Sequence, residues 1–120
     1  MIEEELGTFL NTLLTAPAFY VEAPAGQSLP FVTFELQHYD TDHQKGGSGL
    51  AYAEFQIDVY HHTPGRAAVL GTEVKEALQN FKGQMGELFI TLARISSEFD
   101  SDEKASGSYV RTMTLSINHQ

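Results

Sequence analysis

The sequence predicts an α+β fold, a two-layer sandwich with two helices on one face of a mostly antiparallel sheet of four to five strands, in the order α-β-β-β-α-β-β. Three observations predict it. Two segments carry apolar residues at helical spacing, and four carry the two-residue alternation of half-buried strands. Polar, glycine-bearing stretches of hairpin length join the strand pairs.

The first element is a helix from about Ile2 to Thr15, with Ile2, Leu6, Phe9, Leu10, Leu13 and Leu14 on one stripe. Glu3, Glu4 and Glu5 occupy its first turn, where the helix dipole favours negative charge, and Pro17 stops it. Phe19-Tyr20-Val21 is a short strand before the turn-rich APAGQSLP. From Phe31 to about Tyr39, Val32, Phe34 and Leu36 alternate with Thr33, Glu35 and Gln37. The polar run DTDHQKGGSG then reads as a mobile hairpin loop. From Leu50 to about His61, Ala51, Ala53, Phe55, Ile57 and Val59 take one face, and Tyr52, Glu54, Gln56, Asp58 and Tyr60 take the other.

Thr63 is placed as an N-cap with Pro64 in the first turn of a second helix, and Gly83 is placed to end it. Its stripe is Ala67, Leu70, Gly71, Val74, Ala77, Leu78 and Phe81. After a connection through Gly86, ELFITLARI is a long strand and DSDEKASGS a second exposed loop. The last strand, Tyr109 to Ile117, sets Met113, Leu115 and Ile117 against Thr112, Thr114 and Ser116.

At 120 residues the chain fits one domain, spanning 1–120. The absence of cysteine excludes disulfides, thiolate metal sites and cysteine nucleophiles. Sixteen acidic against seven basic residues give a formal charge of -9, which argues against phosphate backbones and anionic membranes as partners. No apolar run approaches the roughly 20 residues of a membrane span. The acidic N-terminus is unlike the basic start of a signal peptide, so a soluble protein made in the cytoplasm is expected.

No catalytic constellation emerges, and neither a cofactor nor a metal is expected. His61 and His62 are adjacent at a strand end and would point to opposite faces. Asp40, Asp42 and His43 match neither a calcium loop nor a zinc pattern. His38 and His119 have no visible partners. Glu98, Asp100, Asp102 and Glu103 read as solvated loop acids. Lys45-Gly46-Gly47-Ser48-Gly49 lacks both Walker spacing and a following helix. There remains the outward face of the second long strand, where Tyr52 and Tyr60 flank Glu54, Gln56 and Asp58. It reads either as an ordinary wet sheet face or as a subunit contact rich in amphipathic tyrosine.

SLPFVTFEL, the Gly-rich hairpin, and AYAEFQIDVYHHTPGRAAVLGTEVKEAL together resemble the tail-completion or tail-terminator proteins of long-tailed bacteriophages and prophages. A strand leading to Phe99-Asp100 and an entry at Tyr109-Val110-Arg111 extend the resemblance over nearly the whole chain. It implies a non-enzymatic virion protein that forms a homo-oligomeric ring, usually a hexamer, at the head-proximal end of the tail tube. Such a ring ends tube polymerisation and joins the tube to the head connector, with DNA only as passing cargo. Its partners would be itself, the tail-tube protein and the connector (stopper) protein, with no membrane. In that reading Tyr52, Glu54 and Tyr60 are subunit-interface candidates. Asp40, Asp42, His43, Lys45, Gly46 and Gly47 are docking-loop candidates, able to order on contact. Another neck or tail-tube subunit, and a small metal- or ligand-binding domain, are the alternatives.

Overall fold

The computed structural model describes residues 1–41, 50–103 and 107–120. Two helices, α1 (Ile2–Leu13) and α2 (Pro64–Leu78), accompany six strands. The strands are β1 (Ala18–Tyr20), β2 (Phe31–Thr41), β3 (Ala51–His61), β4 (Gly83–Met85), β5 (Leu88–Glu103) and β6 (Ser108–His119). They form one sheet in the order β1-β2-β3-β6-β5-β4. The class is the expected α+β, but the sheet has six strands and is mixed, because β1 runs parallel to β2 while the other neighbours are antiparallel.

Both helices start as the sequence indicates and end sooner. In α1, Ile2, Leu6 and Leu10 are buried, and extended Leu14 closes the helix ahead of Pro17. In α2, the Arg66 N–H donates to Thr63 Oγ1 at 3.1 Å, the capping bond expected of Thr63. The helix stops at Leu78, well before Gly83, because the next residues pair with β5 instead. The Asn80 N–H donates to the Ala93 carbonyl at 2.8 Å, and the Ala93 N–H to the Phe81 carbonyl at 3.0 Å. Asn80 makes the turn at φ 63°, a region asparagine tolerates better than most residues.

One core joins the layers. Phe55, Ile57 and Val59 of β3 lie beside Leu115, Met113 and Arg111 of β6, so these side chains share a face. Against that face lie Leu6 and Leu10 of α1 and Leu70, Val74 and Leu78 of α2. Burying a Leu, Ile or Phe side chain stabilises by roughly 1.5–3 kcal/mol, so this shared face dominates the fold.

Three departures reshape the expected sandwich. Gly83–Met85 is a rim strand where the sequence indicates only a connection. β5 continues to Glu103 through residues read as a loop, because β6 pairs with it up to Glu103↔Ser108. Finally, α1 packs against both β1 and β4, the two opposite rims of the sheet, so the sheet curls around the helix. Strand twist and the irregularities at Leu36/His38, Ile90/Leu92 and Ile95/Ser97 supply the bending.

Candidate interaction surface

The face turned away from the helices is built by strand register. Tyr52, Glu54, Gln56, Asp58 and Tyr60 of β3 lie opposite Asn118, Ser116, Thr114, Thr112 and Val110 of β6. On the other side they meet Asp40, His38, Glu35, Thr33 and Phe31 of β2. Beyond β6, β5 adds Leu92, Arg94, Ser97, Phe99 and Ser101. The alternation read from the sequence therefore places Tyr52, Glu54 and Tyr60 on one face, all three half-buried.

They do not form one cluster. Tyr52 Oη donates to Glu54 Oε2 at 3.3 Å, and its ring lies 6.2 Å from that of His38. Burial, reinforced by the Glu54 charge, pushes the Tyr52 hydroxyl pKa up. Tyr60, eight residues along the strand and so about 27 Å away, stacks on Phe31 with ring centroids 4.6 Å apart. At this end of the face the loop after β1 forms one wall of a cleft, with Glu22 and Leu29 lining it alongside Phe31, Thr33, Tyr60 and Ser108.

The face is acidic on its β2–β3 half and hydroxyl-rich on its β6–β5 half. Glu35, Asp40, Glu54 and Asp58 share the first half; Arg94 is the cation registered on the face among the described strand residues. Asp58 is held in place by Thr112 Oγ1 at 2.6 Å and Gln56 Nε2 at 3.0 Å. Among the described residues, no three of His, Asp or Glu group to hold a metal ion.

Of the docking-loop residues, Asp40 sits on the end of β2, whereas Asp42, His43, Lys45, Gly46 and Gly47 lie outside the described residues. The histidines have more company than the sequence indicates. Tyr39 Oη and His119 Nε2 are 3.3 Å apart, and the His62 N–H donates to His61 Nδ1 at 2.8 Å. Burial first, then His62 and Arg66, lowers the His61 pKa.

The acids of β5 also need correction. Glu98 and Asp100 are exposed as expected, but they stand on a strand and not in a loop, and they belong to an ion network on the α2 side of the sheet. Lys75 Nζ lies 2.8 Å from Glu98, and Arg111 grips Asp100 through Nε at 2.7 Å and Nη2 at 3.1 Å. The bond from Arg111 holds the Asp100 carboxyl below the usual carboxylate range. Arg111 reaches β5 by passing close beneath Gly71, where an added Cβ would stand 2.9 Å from Arg111 Cδ.

Sequence reasoning missed the closures of the sheet rims altogether. On β1, Asn11 accepts from the Ala18 N–H at 2.9 Å and donates to the Ala18 carbonyl at 3.0 Å. On β5, Gln79 does the same for Ile95, at 2.7 and 3.4 Å. Each amide makes the two-way contact that another strand would make. Tyr20 Oη accepts from the Leu36 N–H at 3.3 Å, continuing the closure onto β2. Nothing in residue spacing signals these contacts.

Fold and surface together define an α+β protein with a curled mixed sheet, one face covered by helices and the other polar and acidic. No protein-family model and no curated protein sequence matches it. Among solved structures, it resembles a chain of the virion of a native gene transfer agent particle, with a TM-score of 0.66 and 13% identity. The match covers 95% of this chain and 83% of that one. At that identity the two share a fold. No helix among the described residues is long and apolar enough to cross a membrane.

Proposed function

We propose that this chain is a structural protein of a phage-type virion. The observation that carries this reading is its fold likeness, over nearly its full length, to a chain of a gene transfer agent virion. The finer role, supported by the sequence resemblance, is that of a tail terminator. Copies close into a ring, six in the family pattern, that ends the tail tube and receives the head connector. A ring forms when one patch meets a different patch on the next copy and the rotation closes. The acidic half of the outward face, with Tyr52 and Glu54, is one such patch, and Tyr60 marks its far end. Negative charge on the channel wall, in keeping with the chain's net charge of -9, would let DNA pass without binding it.

Electron microscopy of the purified protein, with and without tail-tube protein, tests the role. Single rings that halt tube growth are expected; long stacks of this chain alone would instead mark a tube subunit. Tyr52→Ala and Tyr60→Ala should each shift the oligomer toward smaller species in light scattering. An unchanged oligomer in both variants removes the outward face as the subunit contact.

A further inference from the structure

The rims of the sheet are finished along only part of their length. Ala18 is closed by Asn11, Leu36 by Tyr20, and Ala93 and Ile95 by the 79–81 segment. Past Ile95 the closure stops. Ser97–Asp102 of β5 pairs with β6 on one side, and among the described residues no backbone or side chain pairs with its other side. Every second residue of an antiparallel strand turns its N–H and C=O away from its partner. This run therefore offers a row of donors and acceptors held in strand geometry, the template on which strand addition works.

The side chains state which strand fits. Glu98, Asp100 and Asp102 point to the α2 side of the sheet, opposite Met113, Arg111 and Tyr109, while Ser97, Phe99 and Ser101 point to the outward face. Phe99 is 61% exposed, a large apolar side chain standing among small polar ones. We infer that the Ser97–Asp102 rim of β5 is a strand-addition site for an extended basic segment of a partner protein, one alternating Lys or Arg with apolar residues. In that register the cations sit beside the three carboxylates and an apolar side chain lies along Phe99. Glu98 and Asp100 already pair with Lys75 and Arg111, whereas Asp102 has no described ion-pair partner and is the carboxylate left to an incoming cation. A second copy of this chain is the wrong occupant. The other rim stretch beyond β1, Gln37–Thr41 of β2, carries no lysine or arginine and includes Asp40, and like charges across a strand pair are unfavourable.

The test uses the intact protein and a fluorophore-labelled peptide, Lys-Val-Lys-Val-Lys-Val-Lys. Lys-Gly-Lys-Pro-Lys-Gly-Lys, of equal charge but unfit for a strand, is the control. Fluorescence anisotropy should show the alternating peptide binding about tenfold tighter than the control, because only it forms the ladder. Amide exchange should slow at Ser97–Asp102 when it binds. Asp102→Lys should weaken binding about fivefold. Equal affinity for the two peptides, exchange slowed elsewhere and not on this rim, or undiminished binding by Asp102→Lys overturns the assignment. If Asp102→Lys does not fold, the exchange map of the unaltered protein decides the matter.

Discussion

At Ala18 of β1 and Ile95 of β5, side-chain amides close the sheet where a further strand would otherwise pair, whereas the second half of β5 is left open and lined with carboxylates. The closed stretches lie next to helices whose ends supply the amides, Asn11 near the end of α1 and Gln79 just past α2. Beside the open stretch α2 supplies no such amide: Pro64 and Ala67 line a small cleft with Asp100 and Asp102, and Lys75 pairs with Glu98. Two ways of managing an exposed rim thus coexist in one sheet. One satisfies the backbone outright; the other leaves it available and uses charge to select what approaches.

Several substitutions would break or sharpen that contrast. The largest effect is expected from Asn11→Ala, which strips two partly buried backbone groups of their partner at once. It should cost about 2 kcal/mol in chemical denaturation. Gln79→Ala removes the same pair of contacts at a more exposed site and should cost about 1 kcal/mol. If the two are equal, or Gln79 costs more, burial does not govern how the closures work.

Val21→Gly acts in the opposite direction. Val21 sits at φ 70° between closed β1 and the following loop, with the Glu22 N–H donating to the Tyr20 carbonyl at 2.8 Å. A β-branched residue is strained there, so glycine should raise stability by about 1 kcal/mol after its own entropic cost.

The open rim is braced by Arg111, and its contribution depends on pH. The Asp100 pKa is lowered in the folded protein, so its stabilising effect is present above the ordinary carboxylate range and is lost as pH falls through the lowered value. Asp100 is 62% exposed, which keeps the effect below about 1 kcal/mol. Arg111→Met should flatten this acid limb in denaturation curves collected from pH 6 down to pH 2, the window of roughly the usual carboxylate titration and below. Gly71→Ala should have the smallest net effect. A gain of about 1 kcal/mol in helix propensity is offset by the new Cβ pressing on Arg111. Its signature would be the same flattened acid limb at nearly unchanged stability at pH 7.

Periodicity made the helices and the long strands legible. Ile2, Leu6 and Leu10 mark α1 at helical spacing, and the odd-numbered residues of β3 mark a buried strand face. It failed where the signal is short or overwritten by charge. β4 has three residues, beginning on Gly83 and followed by Gly86, both at positive φ, too few to show a period. The end of β5 alternates acids with serine and Phe99, so polarity hides a strand that β6 enforces from a distance. The outward face is legible for the same reason as β3: alternation assigns Tyr52, Glu54 and Tyr60 to one side. The closures are not legible, because the link from Asn11 to Ala18 or from Gln79 to Ile95 depends on where the chain returns in space.

The strand order carries a consequence for how the protein is made. β6 follows every other element in this chain, yet it lies at the centre of the sheet, between β3 and β5. Until it emerges from the ribosome, β1-β2-β3 and β4-β5 have no strand between them, and the described link from one rim to the other is the bond from the Glu87 N–H to Glu5 of α1. Commitment to the native topology is therefore deferred until β6 is available to join them, with two unpaired ribbons exposed to chaperones and neighbours in the interval.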